Sequence, residues 1–357
     1  MIELLASSYV KPRGGLGDLP GRLRAEDCTI AYMGASVTAQ RDGFRPRLHE
    51  LLCRDTGRDH RAVAAALGAT GAITGVCLMD DLVLAHRPDL AFVEYATSDI
   101  AGTTPRAQLA PVLEGIVGKL RDAGCEVCFL YLHRGDVDLG SSDVVAVYED
   151  VADHHAVSSI NVADWLRAEI AEGRLDGGTI LRDVVHTTET GSILTAEAIG
   201  HAVAQIQPGL RPAAKPLRDD AFRRAWIEAP SPALVGGGPF TEGRFRLLKP
   251  YIEIDRAGEL RFTPEGELVG LLVVLGPHSG YIEVTAAGET VEYLLWDDEC
   301  SYERLGSVVL GPFAPAGSEV TIRVTDRPVD RSAARRPVDA GEAARTRLKV
   351  AGLMVRS

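Results

Sequence analysis

The sequence lacks the features that mark membrane-spanning, exported or nucleic-acid-binding proteins. No apolar run reaches the roughly 18 residues of a membrane-spanning helix, and the first residues carry an early acid, Glu3, without a long apolar core. That start argues against a signal peptide. Basic residues are not in excess, since 38 Lys and Arg face 50 Asp and Glu, a formal net charge of −12 at pH 7. We therefore expect a cytoplasmic protein with neither nucleic acid nor a membrane as its partner.

Cysteine is sparse, at six residues, a number that fits a reducing compartment. Cys125 and Cys128 have the C-x-x-C spacing, but they open an apolar stretch typical of a strand, and no second pair follows. A zinc site would need two further ligands. We expect the other cysteines to be small core residues, and we expect no metal and no other cofactor.

The 357 residues fall into two regions with different sequence patterns. Over residues 1–211, apolar strand-like runs alternate with stretches of helical periodicity, which is typical of a parallel sheet covered by helices. Residues 212–245 are rich in Pro and Gly and are expected to connect this α/β domain to the rest. Over residues 246–357, short strands of alternating polarity predict an all-β sandwich.

Ser36 is the first candidate site residue. An apolar strand, Thr29–Gly34, runs into Ala35 and Ser36, and a helix-like pattern follows from Phe44. Backbone N–H groups are free at such a turn, so its serine can act as a nucleophile while its own N–H helps to hold an oxyanion. The alternative is an ordinary strand-to-helix turn whose serine caps the helix.

Asp183 and His186 form a D-x-x-H pair in a loop before the last helical stretch of the α/β region. An Asp in this place can bind one ring nitrogen of the His and fix its tautomer, which leaves the other nitrogen to take the proton of a serine. Sites of open parallel sheets lie beyond the carboxyl ends of the strands. Ser36 and His186 both fall in such places, so we expect one shared site.

With these residues in place, the chain resembles the SGNH/GDSL hydrolase superfamily over about residues 25–210. Four short blocks carry the resemblance, in this order: Gly34-Ala35-Ser36, Gly68 within Leu67–Ala72, Thr97-Ser98-Asp99 after a strand, and Asp183 with His186. The resemblance implies a flavodoxin-like, three-layer α/β/α domain with a parallel sheet. It also implies a serine esterase with Ser36, Asp183 and His186 as catalytic residues and the N–H groups of Ser36 and Gly68 in the oxyanion hole.

Ser98 departs from the family pattern, because the family has the asparagine of its oxyanion hole at this position. A serine hydroxyl stands on a shorter side chain, and loss of one such donor costs roughly 10²–10³ in rate. Three interpretations stay open. Ser98 or Thr97 donates directly or through water, the N–H groups of Ser36 and Gly68 suffice for a slower reaction, or the protein has left hydrolysis behind.

Other polar residues fall near the same strand ends. Glu94, inside an apolar strand, is expected to be a buried structural carboxylate, and Asp99 is expected to anchor its loop through backbone N–H groups. His133 ends a further strand and, with Thr97, is a candidate for contact with the substrate.

The all-β region resembles the jelly-roll modules that accompany many carbohydrate-active SGNH enzymes. Its one concentrated polar and aromatic cluster runs from Trp296 to Arg304. An aromatic ring beside acids and an arginine suits a sugar or another polar substrate, whereas a packed edge or a domain contact is the more usual meaning. Trp296 and Arg304 are therefore the candidate substrate contacts of this region.

The function that the resemblance implies is hydrolysis of a small acyl group, such as acetyl, from a carbohydrate or a sugar-bearing metabolite. The expected partner is thus a small-molecule or carbohydrate acyl ester. An acyltransferase would use the same three side chains, and a non-catalytic carbohydrate- or metabolite-binding protein is the second alternative, motivated by Ser98. The sequence does not indicate an oligomeric state.

Overall fold

Apolar strands and helical stretches alternate along the first part of the chain, and in the structure, a computed structural model, this pattern folds into a doubly wound sheet. The structure describes residues 9–206, 209, 215–246 and 249–357. The chain divides into two units between Arg223 and Arg224. The first unit is α/β, and the second is built mainly of β-strands.

The first unit contributes six strands to one sheet. These strands are β1 (Val10–Lys11), β2 (Thr29–Gly34), β3 (Arg61–Ala66), β4 (Leu90–Glu94), β5 (Glu126–Tyr131) and β6 (Ser158–Asn161). The α-helices among its described residues are α1 (Leu19–Ala25), α2 (Ser36–Ala39), α3 (Phe44–Thr56), α4 (Ala72–Leu82), α5 (Ala96–Asp99), α6 (Arg106–Asp122), α7 (Asp143–His155), α8 (Val162–Ala171) and α9 (Glu189–Gln205).

Strands β2 to β6 run parallel in the spatial order β3-β2-β4-β5-β6, and β1 pairs antiparallel with β6 at the edge. This is the flavodoxin-like order, so the predicted fold class is confirmed. The chain passes from β2 to β3 on one side and then crosses to β4 on the other. A crevice opens at such a switch point, beyond the carboxyl ends of the two strands. Ser36 follows β2 and Ser98 lies in the turn after β4, so both border this crevice.

Helices cover both faces of the sheet. Tyr32 of β2 belongs to a core that also contains Phe44 of α3 and Ile199 of α9. Met33, the next residue along β2, points to the opposite face and borders a small internal void together with Leu78 of α4. Because both faces of the central strands are buried, β4 is apolar through most of its length, as in other covered parallel sheets.

The second unit consists of two antiparallel sheets. Its strands are β7 (Ala225–Glu228), β8 (Val235–Gly237), β9 (Phe240–Phe245), β10 (Lys249–Ile254), β11 (Glu259–Phe262), β12 (Glu267–Leu275), β13 (Tyr281–Ala286), β14 (Glu289–Leu294), β15 (Arg304–Ala314), β16 (Val320–Val324) and β17 (Leu348–Arg356), with one short helix, α10 (Ala340–Ala343). One sheet has the order β15-β12-β17-β10-β9, with β7 also on β17, and the other has the order β14-β13-β16-β11-β8. Leu271 of the first sheet and Ile322 of the second share one buried core, so the sheets pack as the predicted sandwich.

The segment 212–245, expected to be a connector, differs from that expectation. Residues 212–214 lie outside the described part of the chain, but β7, β8 and β9 all lie within the remainder and pair inside the second unit. β8 and β9 are edge strands with mostly exposed residues. An edge strand that packs few side chains has no strict alternation of polarity, and its prolines and glycines are those of a sheet margin.

Among the described residues, no helix combines the length and the apolar character that crossing a membrane requires.

Candidate active site

The Ser36 turn, residues 34–36, joins β2 directly to α2. Gly34 ends the strand, and Ser36, half-buried, begins the helix. A Cβ atom at Gly34 would lie 2.6 Å from the backbone oxygen of Glu94 and would overlap the hydroxyl group of Thr38. Only glycine therefore fits where α2 folds back onto the end of the strand, and this close approach fixes the position of the Ser36 backbone.

Gly68 lies beside Ser36. A Cβ atom at Gly68 would come within 3.8 Å of the Ser36 Cβ. The turn that carries Gly68 follows β3, where the N–H of Leu67 donates to the carbonyl of Gly34 at 3.2 Å. Ala69, the next residue, has φ +57°, in the left-handed region that is costly for a residue with a side chain. Such backbone strain is often kept at functional sites.

Ser98 lies half-buried in α5, the short helix after β4. Its Oγ lies 3.4 Å from the hydroxyl oxygen of Thr103, which donates to Oδ1 of Asp99 at 3.0 Å. Thr97 is buried, and its hydroxyl donates to the carboxylate of Glu94. Because a hydroxyl has one proton to donate, this bond argues against Thr97 as a donor to substrate and favours Ser98 as the hydroxyl of this turn that can serve.

Asp99 anchors the same turn, which confirms its expected structural role. Its Oδ1 accepts from the N–H of Ala72 at 3.2 Å and from the hydroxyl of Thr104 at 2.7 Å, and its Oδ2 accepts from the hydroxyl of Tyr148 at 2.7 Å. Burial raises the pKa of Asp99 to about 6, although these donors oppose the rise. The carboxyl group thereby holds α5 against α4 and α7.

His186 and Asp183 form a hydrogen-bonded pair. The ring Nδ1 of His186 lies 2.8 Å from Oδ2 of Asp183, and Oδ1 of Asp183 also accepts from the N–H groups of His186 and Val185 at 2.8 and 3.0 Å. Burial tends to raise the pKa of Asp183, but these backbone donors and the imidazole outweigh it and hold that pKa below its ordinary value. With the proton on Nδ1, the other ring nitrogen, Nε2, is left as a base.

A buried hydrogen bond joins the His186 loop to the end of α2. The side-chain amide of Gln40, just past α2, donates to the backbone oxygen of Thr187 at 3.0 Å. Within the loop, the N–H of Arg182 donates to the backbone oxygen of His186 at 2.9 Å. Thr187, which follows His186, is thus fixed to Gln40, which follows α2, although the two lie 147 positions apart.

The loop after β5 also borders the site. His133 is half-buried there, and burial lowers its pKa, so its imidazole is neutral at pH 7. Arg134 donates to the backbone oxygen of Thr97 at 2.6 Å and is paired with Asp136. The N–H of Gly135 donates to the backbone oxygen of Val184 at 2.9 Å. This loop therefore braces both the Ser98 turn and the His186 loop.

Residues 29–192 match the GDSL-like lipase/acylhydrolase family. The match lies within the first unit and includes all four sequence blocks. The match confirms the recognition made from the four sequence blocks, and it assigns the chain to the carboxylic ester hydrolases, as the sequence predicts. No curated protein matches the sequence significantly.

Two solved structures are similar to this chain along nearly its whole length. Both are of a two-domain esterase (CEX) active on acetylated mannans, and one was co-crystallised with mannopentaose. Each covers 99% of this chain, over 98% and 99% of its own length, with TM-scores of 0.80 and 0.79 and 16% identity. At this identity the likeness is one of fold, and it extends to the GDSL-like domain and the β-sandwich alike.

Two residues around this GDSL-like site lacked a predicted role in the chemistry. Arg134 immediately follows His133 at a strand end, and a cation at that place was the available signal. Glu94 was expected to be buried or near the site, as a structural carboxylate in preference to a catalytic one, and it is buried at 1% exposure. The sequence does not indicate that Glu94 binds the hydroxyl groups of Thr38 and Thr97, because these residues belong to separate helices, α2 and α5.

Trp296 and Arg304 lie in the second unit, outside the GDSL-like domain. Trp296 packs against the sandwich core, and Arg304 is paired with Asp297. Asp297 also accepts from the N–H of Glu299 at 3.1 Å. The cluster is thus folded on itself, which favours the packed-edge interpretation, and its contact with substrate stays a prediction.

Proposed function

We propose that the protein is a serine esterase that removes acetyl groups from a carbohydrate. The observation that supports the proposal is the buried hydrogen bond from Gln40 to Thr187, which joins the segment that follows Ser36 to the loop that carries His186 and Asp183. A nucleophile, a base and an orienting carboxylate at one crevice are the set that acyl transfer needs.

In the proposed mechanism, Ser36 Oγ attacks the ester carbonyl carbon while Nε2 of His186 takes the serine proton. Asp183 accepts a hydrogen bond from Nδ1 of the resulting imidazolium and stabilises it. The tetrahedral intermediate then collapses, and the sugar alcohol leaves with the proton from His186. Water attacks the acetyl-enzyme with His186 again as the base, and acetate leaves as Ser36 regains its proton.

The oxyanion of each tetrahedral intermediate is proposed to accept from the N–H groups of Ser36 and Gly68. The nearness of the Gly68 backbone to Ser36 supports this assignment. Ser98 is the proposed third donor. Thr103 gives its proton to Asp99 at 3.0 Å, and the 3.4 Å between the hydroxyl oxygens of Ser98 and Thr103 is long for a hydrogen bond, so the Ser98 hydroxyl is free to turn to the substrate. We expect a shorter donor than asparagine to make the enzyme slower, not inactive.

Hydrolysis is favoured over transfer to another alcohol by the openness of the base. The side chain of His186 is 25% exposed and that of Asp183 44% exposed, so water reaches the acyl-enzyme. A transferase must exclude it. The carbohydrate part of the proposal rests on the two-domain fold shared with an esterase active on acetylated mannans.

Acetate release from acetylated manno- and xylo-oligosaccharides tests the proposal. We expect release by the wild type and none by Ser36→Ala, and we expect labelling of Ser36 by a serine-directed phosphonate. p-Nitrophenyl acetate and butyrate, compared side by side, report the acyl preference, for which we expect acetyl. Acetate release that survives Ser36→Ala would reject the mechanism. Transfer to an added alcohol without hydrolysis would favour the acyltransferase.

A further inference from the structure

Glu94, the last residue of β4, lies buried next to the Ser36 turn. It pairs in register with Gly34 of β2, and its side chain is enclosed at 1% exposure. One carboxylate oxygen, Oε2, accepts from the hydroxyl of Thr38 at 3.0 Å, and the other, Oε1, accepts from the hydroxyl of Thr97. A buried carboxylate is stable only when such donors compensate its desolvation, so both bonds are required by the fold.

The two threonines belong to the two segments that carry site hydroxyls. Thr38 lies two residues after Ser36 in α2, and Thr97 immediately precedes Ser98 in α5. One carboxylate thus bridges the helix of the nucleophile and the turn of the proposed third oxyanion donor. The bridge spans the switch point itself, between β2 and β4.

Each threonine is also held at its backbone oxygen by an arginine. Nε of Arg45 donates to the oxygen of Thr38 at 3.0 Å, and Nη1 of Arg134 donates to the oxygen of Thr97 at 2.6 Å. Both residues are therefore fixed at two points, with Glu94 as the shared one.

The packing around this bridge leaves no slack. Thr38 fills the space that a side chain at Gly34 would occupy, so α2 cannot move toward the strand. A shift of α2 away from it would break the bond from Thr38 to Glu94. The placement of Ser36 relative to Ser98 consequently depends on this carboxylate.

We propose that Glu94 is a positioning residue for the esterase reaction, and that it sets the separation of Ser36 and Ser98 through Thr38 and Thr97. The inference rests on the proposed function, because it concerns the geometry of that same site. Displacement of catalytic groups by about 1 Å is enough to cost roughly 10²-fold in rate, so loosening this bridge lowers kcat.

The ionisation of Glu94 supplies a readout that a purely structural role would not move. Burial raises its pKa to about 7, against the opposing bonds from Thr97 and Thr38, and the nearby Asp99 adds to the rise. Tyr95 and Tyr148 also interact with it, and both remain neutral because burial raises their pKa. Ionised Glu94 accepts both hydroxyl protons. Once protonated, it must donate its own, which weakens the bridge.

The test compares four variants for kcat, KM and pH profile: Glu94→Gln, Thr38→Val, Thr97→Val and Thr38→Ser. We expect either valine variant to lower kcat roughly 10-fold or more, with KM nearly unchanged. Thr38→Ser restores most of the rate because it keeps the hydroxyl. Glu94→Gln removes an ionisation near pH 7 from the profile. The matched control is Glu169→Gln in α8, a buried carboxylate paired with Arg174, which should leave kcat and the profile unchanged.

Unchanged kcat in both valine variants, with a wild-type pH profile in Glu94→Gln, would overturn the inference. The valine variants decide it alone if Glu94→Gln does not fold. Failure of the proposed function is separate, because it would appear as acetate release by Ser36→Ala. An inactive Ser36→Ala beside fully active Thr38→Val and Thr97→Val would reject the positioning role only.

Discussion

Gln40 donates its side-chain amide to the backbone oxygen of Thr187 at 3.0 Å, in a buried contact between the end of α2 and the loop that carries His186. Nearby, Arg182 and Asp42 make a looser ion pair at 3.8 Å between exposed side chains. The two contacts join the same two segments. They differ in burial. We expect the buried hydrogen bond to matter more for stability, because exposed ion pairs contribute little to the free energy of unfolding.

Replacement of Gln40 by leucine should therefore lower kcat about 10-fold, since the His186 loop loses its fixed distance from Ser36. The buried oxygen of Thr187 is left without this donor, so we also expect a loss of roughly 1–3 kcal/mol in the free energy of unfolding. Steady-state kinetics and urea denaturation measure the two effects. Arg182→Ala is the control, expected to change neither by much. Equal kcat in Gln40→Leu and wild type would show that the contact does not position the base.

Asp183→Asn should lower kcat on the order of 10³–10⁴. The asparagine oxygen still accepts from the N–H groups of Val185 and His186, so the loop keeps its shape. What is lost is the negative partner of the imidazolium. Stopped-flow or steady-state ester hydrolysis measures the loss. Asp176→Asn is the control. Asp176 accepts from the N–H of Gly178 in a turn, and this change should leave kcat unchanged. A kcat close to that of the wild type in Asp183→Asn would show that Asp183 is not part of the proposed triad.

Substitutions at Ser98 test the third oxyanion donor in both directions. Ser98→Ala should lower kcat about 10-fold or more, and Ser98→Asn should raise it, because a longer amide donor reaches further toward the oxyanion. Ser142, which caps α7 by accepting from Val145 N–H at 3.1 Å, provides the control. Ser142→Ala is expected to cost about 1 kcal/mol of stability and no activity. Ester hydrolysis that is insensitive to both changes at Ser98 would leave only backbone donors in the hole.

The raised pKa of Glu94 predicts how stability depends on pH. Its pKa is about 7 in the folded protein, above its ordinary value of 4.5, so the native state keeps a proton that the unfolded chain releases between these values. The free energy of unfolding then falls as pH rises through that window. Relative to Glu94→Gln, the wild type should lose roughly 2–3 kcal/mol between pH 4.5 and pH 8. Urea denaturation of both proteins at several pH values measures the difference, and parallel curves would contradict it.

Gly34→Ala should destabilise the protein by about 1–3 kcal/mol or more, because its methyl group has no space between Thr38 and the backbone of Glu94. Gly21, in α1, offers the matched control, since apart from its chain neighbours and the backbone of its own helix no described atom lies within 4 Å of the corresponding Cβ position. There, alanine should stabilise by about 0.5–1 kcal/mol through its higher helix propensity. Thermal denaturation of the two variants measures both signs, and a Gly34→Ala protein as stable as wild type would contradict the close packing.

The periodic parts of the fold were predictable from the sequence, and the contacts between distant segments were not. The strand before Ser36 is apolar throughout, the D-x-x-H loop precedes a long helix, and both signals are local. The bridge from Glu94 to Thr38 depends on the register of two parallel strands, which places Gly34 opposite Glu94. A local sequence pattern cannot predict the register between strands that are distant along the chain. Likewise, β8 and β9 were missed because edge strands bury too few side chains to alternate.

The two-residue strand β1 has a practical consequence for truncated forms of this protein. It covers the outer edge of β6, through Val10 opposite Ile160, and Arg13 pairs nearby with Glu149 and Asp153 of α7. A version that starts after Arg13 would leave the outer backbone amide and carbonyl groups of β6 unpaired, and such sheet edges pair with further chains. Self-association during expression is the cost to expect from that shortening, even though it begins far from Ser36.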